Sequence, residues 1–116
     1  MMMSDDCIFC KIVNGQIPCT QLYEDDNVLA FKDIHPIAPV HFLVIPKEHI
    51  PTLDDMEEHH SETLGRMMFV ATQLAKQQGV GGTGYRQVIN CRESAGQEVF
   101  HLHLHVIGGR NMGKMG

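Results

Sequence analysis

The segment Phe100-His101-Leu102-His103-Leu104-His105-Val106 places three histidines at alternate positions. Successive side chains of a β-strand point to opposite faces. This spacing therefore puts His101, His103 and His105 on one face and Leu102, Leu104 and Val106 on the other, toward a core. Packing alone does not select three imidazoles on one pleat, because each ring brings two nitrogens that need partners. Two chemistries suit the arrangement. Imidazoles on one face can grip a transition metal that keeps a position open for water. Alternatively, one neutral imidazole attacks an electrophile while its neighbours hold the substrate and move protons. The strand alone leaves both open. A second pair, Cys7-x-x-Cys10, has a spacer common in zinc sites. A redox pair of that spacing would open a helix after a strand, in a βαβ setting that this sequence lacks.

The chain that must position these groups has 116 residues, enough for one domain over 1–116 and too few for two. A chain this short buries only about two thirds of its unfolded surface, so pairing with a second copy would help its stability. It is 43% apolar and 20% charged, with a net charge of −5 and scattered basic residues. A nucleic-acid groove or an anionic membrane calls for a positive patch, so neither is expected as a partner, and an anionic ligand must be held by local donors. The opening Met1-Met2-Met3-Ser4-Asp5-Asp6 is acidic where a secretory leader is basic, and no apolar run follows. The longest nearly uninterrupted apolar stretch, Phe42 to Pro46, is too short to span a bilayer. A cytoplasmic location is expected. There the four cysteines, Cys7, Cys10, Cys19 and Cys91, serve as thiols or metal ligands and not as disulfides.

Periodicity predicts a short helix over 7–13 closed by Asn14-Gly15, and strands over 21–24 and 27–32 joined at Asp25-Asp26. A loop runs from Asp33 to Pro39, followed by a strand over 41–45 closed by Pro46. The strongest helix signal spans about Leu53 to Gln78. Its apolar stripe is Leu53, Met56, His60, Leu64, Met67, Ala71, Leu74 and Ala75, and its first turns are acidic. His59 and His60 lie on this acidic stretch and are expected at a surface or interface. A strand over 85–90, a polar loop over 92–97 and a strand over 99–107 complete the chain. Short strands with hairpin-length loops around two helices indicate an α+β domain on an antiparallel sheet.

Taken together, these residues resemble the histidine-triad (HIT) family, whose signature is His-x-His-x-His flanked by apolar positions. The resemblance runs through Phe9-Cys-Lys-Ile, Ile17-Pro18, Leu29-Ala-Phe-Lys-Asp33, Pro39-Val-His-Phe-Leu-Val-Ile-Pro46, His49, Tyr85-Arg86, Asn90, Gly96-Gln97 and His101 to Gly109. The Gly108-Gly109-Arg110 ending is similar to the Hint branch. It implies a five-stranded antiparallel sheet with two helices, paired in a homodimer through the long helix and an edge strand into a ten-stranded sheet. It also implies hydrolysis of purine nucleoside 5′-phosphoramidates or aminoacyl-adenylates to the monophosphate. His103 matches the nucleophile that forms a nucleotidyl-histidine, His105 the group beside the phosphate and leaving amine, and His41 a proton relay. Asn90, Gly96, Gln97 and Glu98 match the phosphate-holding part, through backbone N–H groups and side-chain amides. Glu98 stands where many members carry a phosphate-binding Ser, which leaves its backbone N–H as the contact. Asp33 matches the residue that accepts both ribose hydroxyls, and Ile8, Phe9, Ile12, Phe31 and Ile34 the apolar sandwich around the base. Cys7, Cys10, His49 and His101 match the ligands of metal-bearing members, so the resemblance implies a structural zinc with no cofactor needed for catalysis. Other readings stay open: a nucleotide-binding regulatory module, a zinc hydrolase ligated by all three triad histidines, and a dinucleoside polyphosphate hydrolase or nucleotidyl transferase.

Overall fold

A computed structural model describes residues 6–115; the Met1–Asp5 stretch read above as no secretory leader lies outside the described residues. Five strands form one antiparallel sheet: β1 (Gln21–Glu24), β2 (Val28–Lys32), β3 (Val40–Pro46), β4 (Tyr85–Val88) and β5 (Leu104–Gly108), in the order β1-β2-β3-β5-β4. Two helices accompany it, α1 (Ile8–Val13) and α2 (Ser61–Gln77). The expected α+β architecture with two helices is what the chain adopts. Among the described residues no helix is long and apolar enough to cross a membrane.

The register assigns the faces. Leu43 pairs with Phe31 on one side and His105 on the other, and His41 pairs with Ile107. Paired residues share a face, so Phe31, Leu43 and His105 point one way, and His41, two residues from Leu43, points with them. Ala30, Phe42, Val44, Leu104 and Val106 point the other way and bury against Met67, Val70, Ala71, Leu74 and Ala75 of α2. Behind the opposite face, Leu29, Phe31, Leu43 and Ile45 pack with Cys7, Phe9 and Cys10 of the α1 segment. β2 and β3 are therefore covered on both sides, which explains their nearly continuous apolar sequence. The β1–β2 turn forms as expected around Asp25, whose carboxylate accepts from the N–H groups of Asn27 and Val28.

Two boundaries differ from the sequence reading. The long helix begins at Ser61 and not near Leu53: single 3-10 turns cover Leu53–Asp55 and Glu58–His60, with Met56 extended between them. Side-chain caps interrupt the helix there. Thr52 Oγ1 accepts from Asp54 N at 3.1 Å and donates to Asp55 at 2.7 Å, and the His60 ring accepts from Glu57 N at 2.9 Å. His60 is accordingly buried, held also by Glu48 at 3.0 Å, and is no surface histidine, whereas His59 is exposed. Thr52→Val, which keeps the shape and deletes this buried cap, should cost about 1–2 kcal/mol, measured as a lower denaturant midpoint at unchanged m-value.

The last strand begins at Leu104 and not at Val99. Leu102 N donates to Ile50 O at 2.7 Å and the His101 ring bonds Pro46 O at 2.7 Å, which draws this stretch onto the Pro46–Ile50 connection and off the ladder. His101 and His103 thus precede the strand, and only His105 lies on it. Likewise β4 ends at Val88, short of Asn90.

Candidate active site

A cleft of about 510 Å³ opens on the α1 side of the sheet. Its walls include Ile8, Phe9, Ile12, Phe31 and Ile34, with Asp33, His41, Asn90, Gly96, Glu98, His103 and His105. Every sequence-selected binding or catalytic residue except Gln97 lines it. Ile34 is 83% exposed and stands at the rim, so the apolar sandwich is closed on its inner side by Phe9 and Phe31, whose rings meet edge to face at 5.6 Å. Ile17, Pro18, Cys19, Lys32, Ile37, Leu43 and Val99 also line the cleft. Sequence reasoning gave them no such role: an apolar side chain beside a ligand has the same pattern as one in a core, and Lys32 reads as an ordinary solvated strand residue.

The triad's protons follow from its partners. His103 Nδ1 lies 2.7 Å from the His101 carbonyl, which can only accept, so the proton is on Nδ1 and Nε2 keeps its lone pair. Phe9 packs edge-on against the His103 ring at 5.1 Å and His105 flanks it at 5.0 Å. Burial lowers the His103 pKa, against the carbonyl bond and the Asp33 charge, which favours the neutral ring that a nucleophile requires. His105 is pushed down to about 4, chiefly by burial and then by His103 and His41. His41 Nε2 stands 3.0 Å from His105 Nδ1 and 3.3 Å from Asp33 Oδ2. Asp33 Oδ1 accepts from His35 N at 2.8 Å, which aims the carboxylate.

The phosphate-holding loop is built differently from the expectation. Gln97 is buried and spends its side chain internally: Oε1 accepts from Arg92 N at 2.7 Å, and Nε2 donates to the carbonyls of Pro51 and Val99. It braces the loop and offers no donor to a ligand. The amides of Gly96 and Gln97 are likewise bonded, to Glu93 O and Arg92 O, so of the three only Glu98 N–H lacks an acceptor among the described residues. Arg92 takes φ +69°, a left-handed conformation uncommon outside glycine, and Gln97 together with an Arg92–Asp54 ion pair holds it there.

Cys7, Cys10, His49 and His101 converge on one point beside the cleft. The His49 and His101 Nδ1 atoms are 3.2 Å apart, Cys7 Sγ is 3.4 Å from His101 Nδ1, and Cys10 Sγ is 3.2 and 3.5 Å from the two rings. A tetrahedral zinc with bonds of about 2.3 Å to sulfur and about 2.0 Å to nitrogen sets its ligands about 3.3–3.8 Å apart. The donor set fits. His101 Nε2 donates to the Pro46 carbonyl, which turns the Nδ1 lone pair toward the thiols, and Cys10 N–H points at Cys7 Sγ at 3.4 Å. Burial pushes His101 down to about 4, which keeps it neutral. His103 and His105 take no part in this cluster.

Comparison with known proteins agrees with this geometry. The family described as scavenger mRNA decapping enzyme C-term binding matches residues 6–116. The chain is 46% identical over 113 residues to the purine nucleoside phosphoramidase of Escherichia coli K12, covering 97% of this chain and 95% of that protein. A HIT family hydrolase from Legionella pneumophila Philadelphia 1 superposes with a TM-score of 0.90 at 50% identity, covering 92% of this chain and 96% of that one. A histidine triad protein from Clostridium difficile does so with 0.94 at 44% identity, over 99% and 100% of the two chains. With its fold, its three alternating histidines and these relatives in agreement, the chain belongs to the histidine-triad family of hydrolases.

Proposed function

We propose that the protein hydrolyses purine nucleoside 5′-phosphoramidates through a nucleotidyl-His103 intermediate. The observation that carries this reading is the locked His103 ring, with its Nδ1–H on the His101 carbonyl and its Nε2 without a partner among the described residues, in a cleft with one apolar and one polar wall. His103 Nε2 forms a bond to the α-phosphorus as the bond from phosphorus to the amine breaks. The electron pair goes to nitrogen, which takes a proton from solvent and leaves as the neutral amine, held by a hydrogen bond from the Nε2–H of neutral His105. Burial keeps that ring neutral, pushing its pKa down to about 4. Water then attacks phosphorus, the P–Nε2 bond of His103 breaks, and the water proton returns to solvent. Products are the nucleoside monophosphate and the amine. The base lies against Phe9, Phe31 and Ile12, and the Glu98 N–H and Asn90 amide hold phosphate oxygens. The 46% identity to a phosphoramidase favours this substrate over dinucleoside polyphosphates. Release of AMP from adenosine 5′-phosphoramidate at several turnovers per second, with diadenosine polyphosphates at least about a hundredfold slower, is the expected outcome. The reverse preference would reject the reading.

Asp33 binds the ribose hydroxyls in this scheme. Asp33→Asn should therefore weaken ribonucleoside monophosphates by about 1–3 kcal/mol and barely affect 2′,3′-dideoxy analogues, as read by calorimetry. Equal losses would reduce Asp33 to a brace for His35 and His41. Zinc held by Cys7, Cys10, His49 and His101 is the structural metal of this reading. A homodimer through the β4 edge and α2 is its assembly. It is supported by Met68 and Phe69, 50% and 55% exposed on α2, and by the buried Gln87 Oε1 of β4, which lacks a partner among the described residues. A monomer in sedimentation equilibrium would end that part.

A further inference from the structure

The proton pattern of the His41–His105 pair depends on a backbone amide outside the triad. Ile37 N–H donates to His41 Nδ1 at 3.2 Å. A ring nitrogen that accepts carries no proton, so a neutral His41 has its proton on Nε2, facing His105 Nδ1 at 3.0 Å with Asp33 Oδ2 at 3.3 Å. His105 Nδ1 then accepts, and the proton of the neutral His105 ring sits on Nε2, the nitrogen left for substrate. That amide, together with the Asp33 carboxylate, thus sets two tautomers. It belongs to the irregular 33–39 loop, where no ladder holds it.

The C-terminal segment does so. Arg110 Nε donates to the Ile37 carbonyl at 3.1 Å. Just before it, Gly109 adopts φ +91° against the same loop: a Cβ at that position would stand 3.0 Å from Pro39 Cβ. Gripped at Ile37 and at Pro39, the loop keeps its amide on His41.

We propose that Arg110 is a positioning residue, which by holding Ile37 fixes the Nε2–H tautomers of His41 and His105 and so keeps a donor facing the leaving group. This rests on the role of His105 given above. Without the grip, the His41 proton can move to Nδ1, that of His105 follows, and a lone pair meets the substrate instead of a donor.

The test compares Arg110→Met, which keeps the apolar stem without the donor, with Arg110→Lys, which restores one. Nitrogen-15 spectra of labelled histidines in the intact protein at neutral pH read the tautomers directly. Wild type should show protonated Nε2 at both His41 and His105, and the Met variant a mixture at both. With adenosine 5′-phosphoramidate, Arg110→Met should lose about tenfold in kcat with KM within about twofold, and Arg110→Lys should recover to within about threefold of wild type. Unchanged kcat in Arg110→Met overturns the proposal, as does a loss with unchanged tautomers or equal loss in the two variants. Should wild type fail to turn over the phosphoramidate, the functional reading falls, while the spectra still decide whether Arg110 sets the tautomers.

Discussion

His103→Ala should lower kcat for a nucleoside phosphoramidate by at least about a thousandfold while the Kd for the nucleoside monophosphate changes by no more than about threefold. The split follows from the geometry. His103 contributes one apolar-flanked ring edge to a cleft lined also by Phe9, Phe31, Asp33, Gly96 and Glu98. Its loss removes a covalent step and leaves those contacts. Its ring also bonds the His101 carbonyl, but that carbonyl belongs to a segment already anchored by Leu102 N–H on Ile50 and by the His101 ring on Pro46, so the truncated site should hold its shape. Steady-state kinetics with calorimetry on the same sample checks both halves. Retention of more than a few per cent of kcat would remove His103 from the role of nucleophile. Metal analysis of the three triad variants adds a second discrimination: only His101→Ala should lose metal, because His103 and His105 stand outside the thiol cluster.

The next largest effect concerns that cluster. Purified protein should carry close to one zinc per chain, and chelation or Cys7→Ser should lower its melting temperature. Metal binding in such a site is folding free energy, about 10–16 kcal/mol in zinc-finger peptides. This chain has a core of its own, so only a fraction is at stake. Even a quarter, about 3 kcal/mol, corresponds to a fall of about 12 °C for a domain of this size. The ion would tie the six-residue α1, too short to be stable alone, to the segment that carries His101 and His103. Four protein ligands leave no open position, so activity should survive well below the melting temperature. Calorimetry before and after chelation gives the first result and an assay in the cold the second. Metal-free protein with unchanged melting would leave the Cys-x-x-Cys pair without a metal. Activity lost in strict proportion to zinc and restored with it would make the metal catalytic.

Much of this site was legible in the sequence because side-chain type carried it. Alternating histidines are rare enough to mark a site, and Asp33, His41 and Asn90 fell into the cleft where the family resemblance put them. The misses share a different cause, which is hydrogen bonding that residue type does not announce. The stripe from Leu53 onward has helical spacing, yet Thr52 and His60 cap two short turns and delay α2 by eight residues. Val99 to His103 has the alternation of a strand, yet its backbone bonds Ile50 and its His101 ring Pro46. Gln97 looked like a donor to phosphate, but its amide is consumed by Arg92, Pro51 and Val99. Arg110 appeared only as part of an ending, since its contact with Ile37 spans 73 positions and ends on a carbonyl common to every residue.

The most direct measurement is mass spectrometry of wild-type protein mixed with a slowly hydrolysed nucleoside phosphoramidate and quenched without acid within the first turnover. A covalent nucleotidyl adduct should appear before the monophosphate reaches its steady rate, decay as substrate is exhausted, and map by peptide fragmentation to His103. Turnover without any adduct in the first milliseconds to seconds, or an adduct on His41, His105 or Lys32, would contradict the nucleophilic role of His103.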